Sequence, residues 1–418
     1  MALARFFLFL YVTAVYTISG DTEYSMVENM IGYGLVAVFA IHWMHTNKKN
    51  ILKNREYKIA IIFLLFCFIS LLVGGVLNTD ANMFILQFSR YITLVQVIGL
   101  SYIAFYICIE SGDVRPLEYG LYAGVFMNII MLVFFSVDVA GEGREGGGVG
   151  AASAMGFALS ISAFVAYSRI SIILRLGKLN AAQNLHLLVL VAVIAGALYI
   201  NLFWTGSRTG IILCGFVMLA VIVQATINGI GKLRFAPLAL VGILAMVAVY
   251  TLPMLADSRF LLRFANISSY FTGAEFVVRE QSVILRAEMI EKGISLWQQS
   301  PVFGWGFDAF RHISGYGTYS HSNHVELLAN YGLIGYIMYY SIYISLVFSM
   351  LKHSKTNSNV KDLKVTILLL VGLVFIAGIS NVSYYSKFNW LVIAYMSSML
   401  MLAIRMHPPM KINNRFSH

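Results

Sequence analysis

Charge is what this chain has least of. Only 11% of its 418 residues are Asp, Glu, Lys or Arg, against 59% that are hydrophobic, whereas a soluble domain carries about 25% charged residues. So little charge cannot dress a water-soluble surface of this size, and a mean hydropathy of +0.78 points to an integral membrane protein instead. Proline is also scarce, with six in the chain, and its near absence from the long apolar runs leaves helices unbroken. Those runs are continuous rather than alternating, which argues against the strands of a membrane barrel. The three cysteines, Cys67, Cys108 and Cys214, stand in separate apolar runs with no paired spacing. They are expected to be buried small apolar residues rather than disulfide partners or metal ligands.

What is present is a succession of apolar stretches, each near the roughly 20 residues that a helix needs to cross the hydrocarbon. About twelve such spans are expected. They run near Phe6–Ile18, Met26–His45, Ile59–Asn78, Tyr91–Ile109, Tyr119–Val139, Ala151–Ile170, Leu187–Phe203, Gly210–Asn228, Ala236–Leu255, Leu333–Leu351, Val365–Ser380 and Phe388–Ile404. The fold class is therefore an all-α integral membrane protein. Spans one to nine occupy residues 1–255, a long polar loop occupies 256–332, and the last spans with a basic tail occupy 333–418.

Basic residues give the orientation. Lys48, Lys49, Lys53, Arg55 and Lys58 follow the second span, Arg169, Arg175 and Lys178 the sixth, Lys232 and Arg234 the eighth, Lys352, Lys355, Lys361 and Lys364 the tenth, and Arg405, Lys411 and Arg415 the last. All fall on one side. The other side receives Asp21 and Glu23, the glycine-rich stretch Gly141–Gly150 and the long loop, so both termini are expected in the cytoplasm and the loop outside. The net charge of +10 then reflects topology and anionic lipid. Nucleic acid is not an expected partner, because the basic residues are spread along helix edges. The first span also has features of a cleavable leader, with Arg5 before it and Ser19-Gly20 after it, and cleavage would leave the remaining topology unchanged.

Cations on the outer side run against the bias and so ask for partners. Arg208 lies in Trp204-Thr205-Gly206-Ser207-Arg208-Thr209-Gly210, a very short turn between two spans. Its guanidinium can fork onto two phosphate oxygens, with Ser207 and the flanking glycines near the same anion, or it can simply hold lipid headgroups beside an interfacial Trp204. The long loop carries Arg259, Arg263, Arg279, Arg286 and Arg311 against a single lysine, Lys292, a choice that suits planar recognition of anions. Within it, Ser282–Gln299 reads as an amphipathic helix whose packed face holds Arg286, Ile290, Ile294 and Trp297. A proline and two glycines in Pro301-x-x-Gly304-x-Gly306 then mark a tight turn.

The segment His321-Ser322-Asn323-His324-Val325-Glu326 follows. Ser320 or Asn323 is expected to cap a helix over Val325–Asn330, which puts both histidines at its positive end, where the neutral imidazole of a general base is favoured. The spacing is not that of a zinc protease and no aspartate-rich run is near, so no metal is expected. Trp305, Tyr316 and Tyr319 offer faces to sugar rings or serve as packing.

Taken together, Ser207-Arg208 at the head of a span, the arginine-bearing helix that runs into Pro301-x-x-Gly304-x-Gly306, and His321-x-x-x-x-Glu326-Leu327-Leu328-x-x-x-Gly332-Leu333-Ile334-Gly335 resemble the bacterial O-antigen ligase and polymerase superfamily. That family often has asparagine directly after the histidine, whereas Ser322 intervenes here; counting back from Gly332 favours His321 over His324. The resemblance implies a GT-C-like glycosyltransferase of the bacterial inner membrane that needs no metal or cofactor and works at the periplasmic face. Its donor and acceptor would be undecaprenyl-pyrophosphate-linked oligosaccharides, with membrane lipids, a chain-length regulator and a flippase as companions. In this scheme Arg208 and Arg286, with Ser207, Arg259 and Arg263, hold the pyrophosphate, and His321 deprotonates the acceptor hydroxyl with inversion at the anomeric carbon. His324 and Glu326 orient the base or the acceptor. Polymerase is favoured over a ligase that delivers the polymer to lipid A core. A secondary transporter is the alternative from another class, although such proteins place polar residues at mid-membrane and show related halves.

Overall fold

A computed structural model describes residues 1–17, 25–46, 54–77, 81–134, 152–175, 181–201, 210, 212–219 and 281–405. Among these residues the regular structure is helical throughout. The helices are α1 Ala2–Thr17, α2 Ser25–Thr46, α3 Arg55–Leu77, α4 Ala81–Ser111, α5 Arg115–Phe134, α6 Ala152–Arg175, α7 Ala181–Tyr199, α8 Gln281–Gln299, α9 Ala309–Ile313, α10 Asn323–His353, α11 Ser358–Ala377 and α12 Lys387–Arg405. Expected spans coincide with α1–α7 and α10–α12. Much of the eighth, all of the ninth and the glycine-rich stretch 141–150 lie outside the described residues.

Length and composition make six of the described helices able to cross a membrane: α2, α3, α4, α6, α10 and α12. The apolar runs of α1 and α7 are shorter. This is a multi-pass arrangement. Its outer faces are apolar, as lipid requires: Ile62, Leu65, Ile69 and Val73 of α3 all lie exposed.

Small residues set the closest helix contacts. Gly120 and Gly124, one turn apart on α5, lie against Val12 and Tyr16 of α1, and a Cβ at Gly124 would fall 2.4 Å from the Tyr16 ring. In lipid there is no hydrophobic drive between helices, so this close van der Waals approach is what joins them. All three cysteines are buried and unpaired.

Two further contacts position the site. α10 packs along α3, and α8 lies across α10. The amphipathic helix α8 forms within one residue of its expected start, but its buried face is Met289, Gly293 and Leu296, while Arg286 and Ile294 are exposed. The expected face is thus rotated by one residue. Gly293 is the reason: a Cβ there would meet Val325 at 2.2 Å, so the glycine is where α8 comes nearest to α10.

Candidate active site

α10 is broken near its start. Gly332 has φ 61 and ψ −164 inside an otherwise helical run, a backbone region essentially confined to glycine. A break strands N–H and C=O groups that a continuous helix would pair. Here the turn at Pro301–Gly306 supplies them. Leu333 and Ile334 N–H groups donate to the Pro301 and Val302 carbonyls at 2.9 and 3.2 Å, while Trp305 and Gly306 N–H groups donate to the Ala329 and Asn330 carbonyls at 3.0 and 2.8 Å. The fit leaves no room for side chains: a Cβ at Gly332 would stand 2.3 Å from the Val302 oxygen, and one at Gly304 would stand 2.5 Å from Asn330. The proline-glycine turn and the later glycine are therefore one device.

The short first part of α10 carries the histidine segment. Ser322 is its N-cap and accepts from Val325 N–H at 3.5 Å, so the cap falls between the two expected residues, Ser320 and Asn323. Ser320 instead folds the preceding turn. Its N–H donates to Glu326 Oε2 at 2.7 Å and its hydroxyl donates to the Ser322 carbonyl at 3.0 Å. Glu326 is fully buried and also accepts from Asn330 Nδ2 at 3.3 Å, while Asn330 Oδ1 accepts from Phe310 N–H at 2.7 Å.

Asn323, likewise fully buried, fastens the other side. Its Oδ1 accepts from Ser383 and Tyr384 N–H, each at 2.9 Å, its Nδ2 donates to the Tyr340 hydroxyl at 3.1 Å, and its own N–H donates to the Gly378 carbonyl at 2.8 Å. His321 therefore sits in a turn pinned on both flanks. Its φ of 59 is in the left-handed region, and its half-buried ring lies 4.5 Å from that of Tyr319.

Around Tyr319 the charges collect. The Arg311 guanidinium lies over its ring at 5.7 Å, within the range of a cation–π contact. Arg286 and Glu326 also act on it electrostatically, and burial pushes its phenol up, so it stays a neutral hydroxyl at physiological pH. Arg311 is tied to Asp308 at 3.5 Å, His312 reaches the same carboxylate at 3.7 Å, and Arg90 of α4 pairs with it from the membrane domain. Burial opposes charge on Asp308, but the nearby His312 ring and the Arg311 and Arg90 guanidinium groups outweigh it and hold the carboxyl below the usual range.

His324 has different neighbours. Its Nε2 faces the Phe375 carbonyl at 3.1 Å, and its Nδ1 lies 3.1 and 3.0 Å from the hydroxyls of Tyr336 and Tyr340. A carbonyl only accepts, so the hydrogen belongs on Nε2 and Nδ1 receives a tyrosine O–H. Nε2 thus joins α10 to α11, while Nδ1 is held by tyrosines of α10 itself.

Of the residues singled out from sequence, His321, Glu326 and Arg286 share the surroundings of Tyr319, while His324 turns toward α11. Ser207, Arg208, Arg259 and Arg263 lie outside the described residues. Sequence reasoning passed over Arg90, found no paired spacing for Asp308 and took Asn323 only as a possible cap. For Arg90 a signal existed: it is a cation at the outer edge of the fourth expected span, the same anomaly that drew notice to Arg208. Asp308 and Asn323 gave no comparable sign, since Arg90 lies 218 positions from Asp308 and the backbone N–H groups that Asn323 receives lie 60 and 61 positions on.

No curated protein gives a match to the chain. Residues 190–340 match the family model described as O-antigen ligase, a range that holds Arg208, Arg286, His321 and the break at Gly332 together, and over it the chain is similar to that family.

Proposed function

We propose that the protein is an inverting, metal-independent glycosyltransferase that polymerises undecaprenyl-pyrophosphate-linked repeat units of a surface polysaccharide. The reading rests chiefly on one observation: the matched segment 190–340 contains a histidine held in a rigid turn with arginines around it. The spans hold the polyprenyl tail in the bilayer. Arg208 and Arg286, with Ser207, Arg259 and Arg263 as further donors, neutralise the pyrophosphate as it leaves, a charge that grows toward the transition state and so rewards fixed cations.

His321 takes the proton from the acceptor hydroxyl, whose oxygen attacks the anomeric carbon as the bond to pyrophosphate breaks on the opposite face. Glu326 acts on this base indirectly, by holding the Ser320 N–H next to it. His324 has both nitrogens committed within the protein, so its part is to orient the first turn of α10 rather than to accept the proton. In this proposal the fold is GT-C-like with about twelve spans of the usual length, both termini are cytoplasmic, and the site opens at the periplasmic face of the bacterial inner membrane. A flippase would supply the substrate and a chain-length regulator would limit the product.

A ligase acting on lipid A core differs only in its acceptor. Purified protein in vesicles with a lipid-linked repeat unit as sole substrate separates the two. Lengthened chains are expected, and transfer that appears only after lipid A core is added would replace the polymerase by the ligase.

A further inference from the structure

The turn at Pro301–Asp308 belongs to the long loop in sequence, yet three helices place it below their own ends. On α3, which ends at Leu77, the Ser70 carbonyl and Gly74 face Gly306, about 5–10 Å short of that end at 1.5 Å per residue. On α4, which begins at Ala81, Gln87 donates to the Phe307 carbonyl at 2.9 Å and Arg90 pairs with Asp308, about 9–14 Å inside. On α10 the turn fills the break at Gly332, against Leu333 where the apolar span begins.

The surface of this turn is apolar and continuous with a lipid-facing stripe. Phe303 is 63% exposed and Trp305 38%, and beside them α10 exposes Leu333, Ile337 (54%), Ile344 (64%) and Phe348 (58%) along one side. From Pro301 to Phe307 there is no charged side chain. The backbone is prepared for such surroundings. The carbonyls of Pro301, Val302, Gly304, Gly306 and Phe307 and the N–H groups of Gly304, Trp305 and Gly306 all have partners inside the protein. Irregular backbone at membrane depth is tolerated where the protein itself takes up its polar groups, as it does for these eight.

We infer that Pro301–Asp308 is a re-entrant turn seated in the bilayer, with Val302, Phe303 and Trp305 against the acyl chains of the bilayer lipids. It anchors the long loop at a fixed depth through the Asp308 pair with Arg90. The inference stands whether or not the protein transfers sugars.

Spin labels test it. Phe303→Cys and, as a second probe, Val302→Cys are labelled in protein reconstituted into phosphatidylcholine vesicles, and collision with dissolved oxygen is compared with collision with a water-soluble nickel chelate. Ile344→Cys serves as the lipid standard and Lys292→Cys, on the exposed side of α8, as the water standard; the buried native cysteines make the unmodified chain the blank. The oxygen-to-nickel ratio at Phe303→Cys and Val302→Cys is expected to match Ile344→Cys and to exceed Lys292→Cys severalfold. A ratio like that of Lys292→Cys, or low collision with both reagents because protein covers the turn, overturns the inference.

Discussion

Asn323 carries more of the site than its chemistry suggests. One side-chain oxygen satisfies two backbone N–H groups from the connection between α11 and α12, and the amide nitrogen ties Tyr340. Asn323→Ala leaves those donors buried without a partner, at about 1–3 kcal/mol each. A clear drop in the apparent melting temperature of the detergent-solubilised protein is expected, and an unchanged value would deny the residue this role. His321 and His324 were both visible as candidates from sequence. Their different surroundings were not, because those of His324 depend on Phe375, brought by the packing of α11 on α10, and on Tyr336 beyond the break in α10. Glu326 was likewise legible as an important carboxylate, while its partner, the Ser320 backbone, is invisible to any reading of side chains.

At the level of elements, the glycine in the His321-to-Gly335 pattern acquires a physical cause. Gly332 breaks α10, Gly304 lets the earlier turn close onto the break, and Gly306 faces α3. Gly332→Ala cannot be relieved by a small shift, since its Cβ meets backbone rather than a flexible side chain, and folded protein recovered from membranes is expected to fall sharply. Gly317→Ala is the control: its φ is also positive but the space around it is open, so only about 1–2 kcal/mol of backbone strain is involved. Equal yields from the two variants would count against the clasp. Helix positions were readable because apolar runs of this length have few alternatives in lipid. The buried face of α8 was not, because a glycine marked it and hydrophobicity alone pointed one residue further on.

Across the whole molecule, the pair Arg90–Asp308 joins α4 to the turn before α9 over 218 positions of sequence. Removing only the cation leaves a buried carboxylate with less compensation. Arg90→Ala is therefore expected to destabilise the protein more than Arg90→Ala combined with Asp308→Asn, with a coupling of about 1–3 kcal/mol in a double-mutant cycle read from thermal unfolding. Additive effects would mean that the pair contributes no linkage. The class of protein and its many passes were present in charge scarcity and apolar run length; that the turn at Pro301–Asp308 packs against α3, α4 and α10 came only from contacts between distant segments.

The most direct measurement compares the wild type with His321→Ala and His324→Ala in vesicles, following chain growth on a lipid-linked repeat unit. Loss of a general base costs about 10²–10⁴-fold in rate, and this loss is expected for His321→Ala at unchanged amounts of folded protein, with His324→Ala retaining most of its rate per folded molecule. Chain growth by His321→Ala at the wild-type rate would contradict the account.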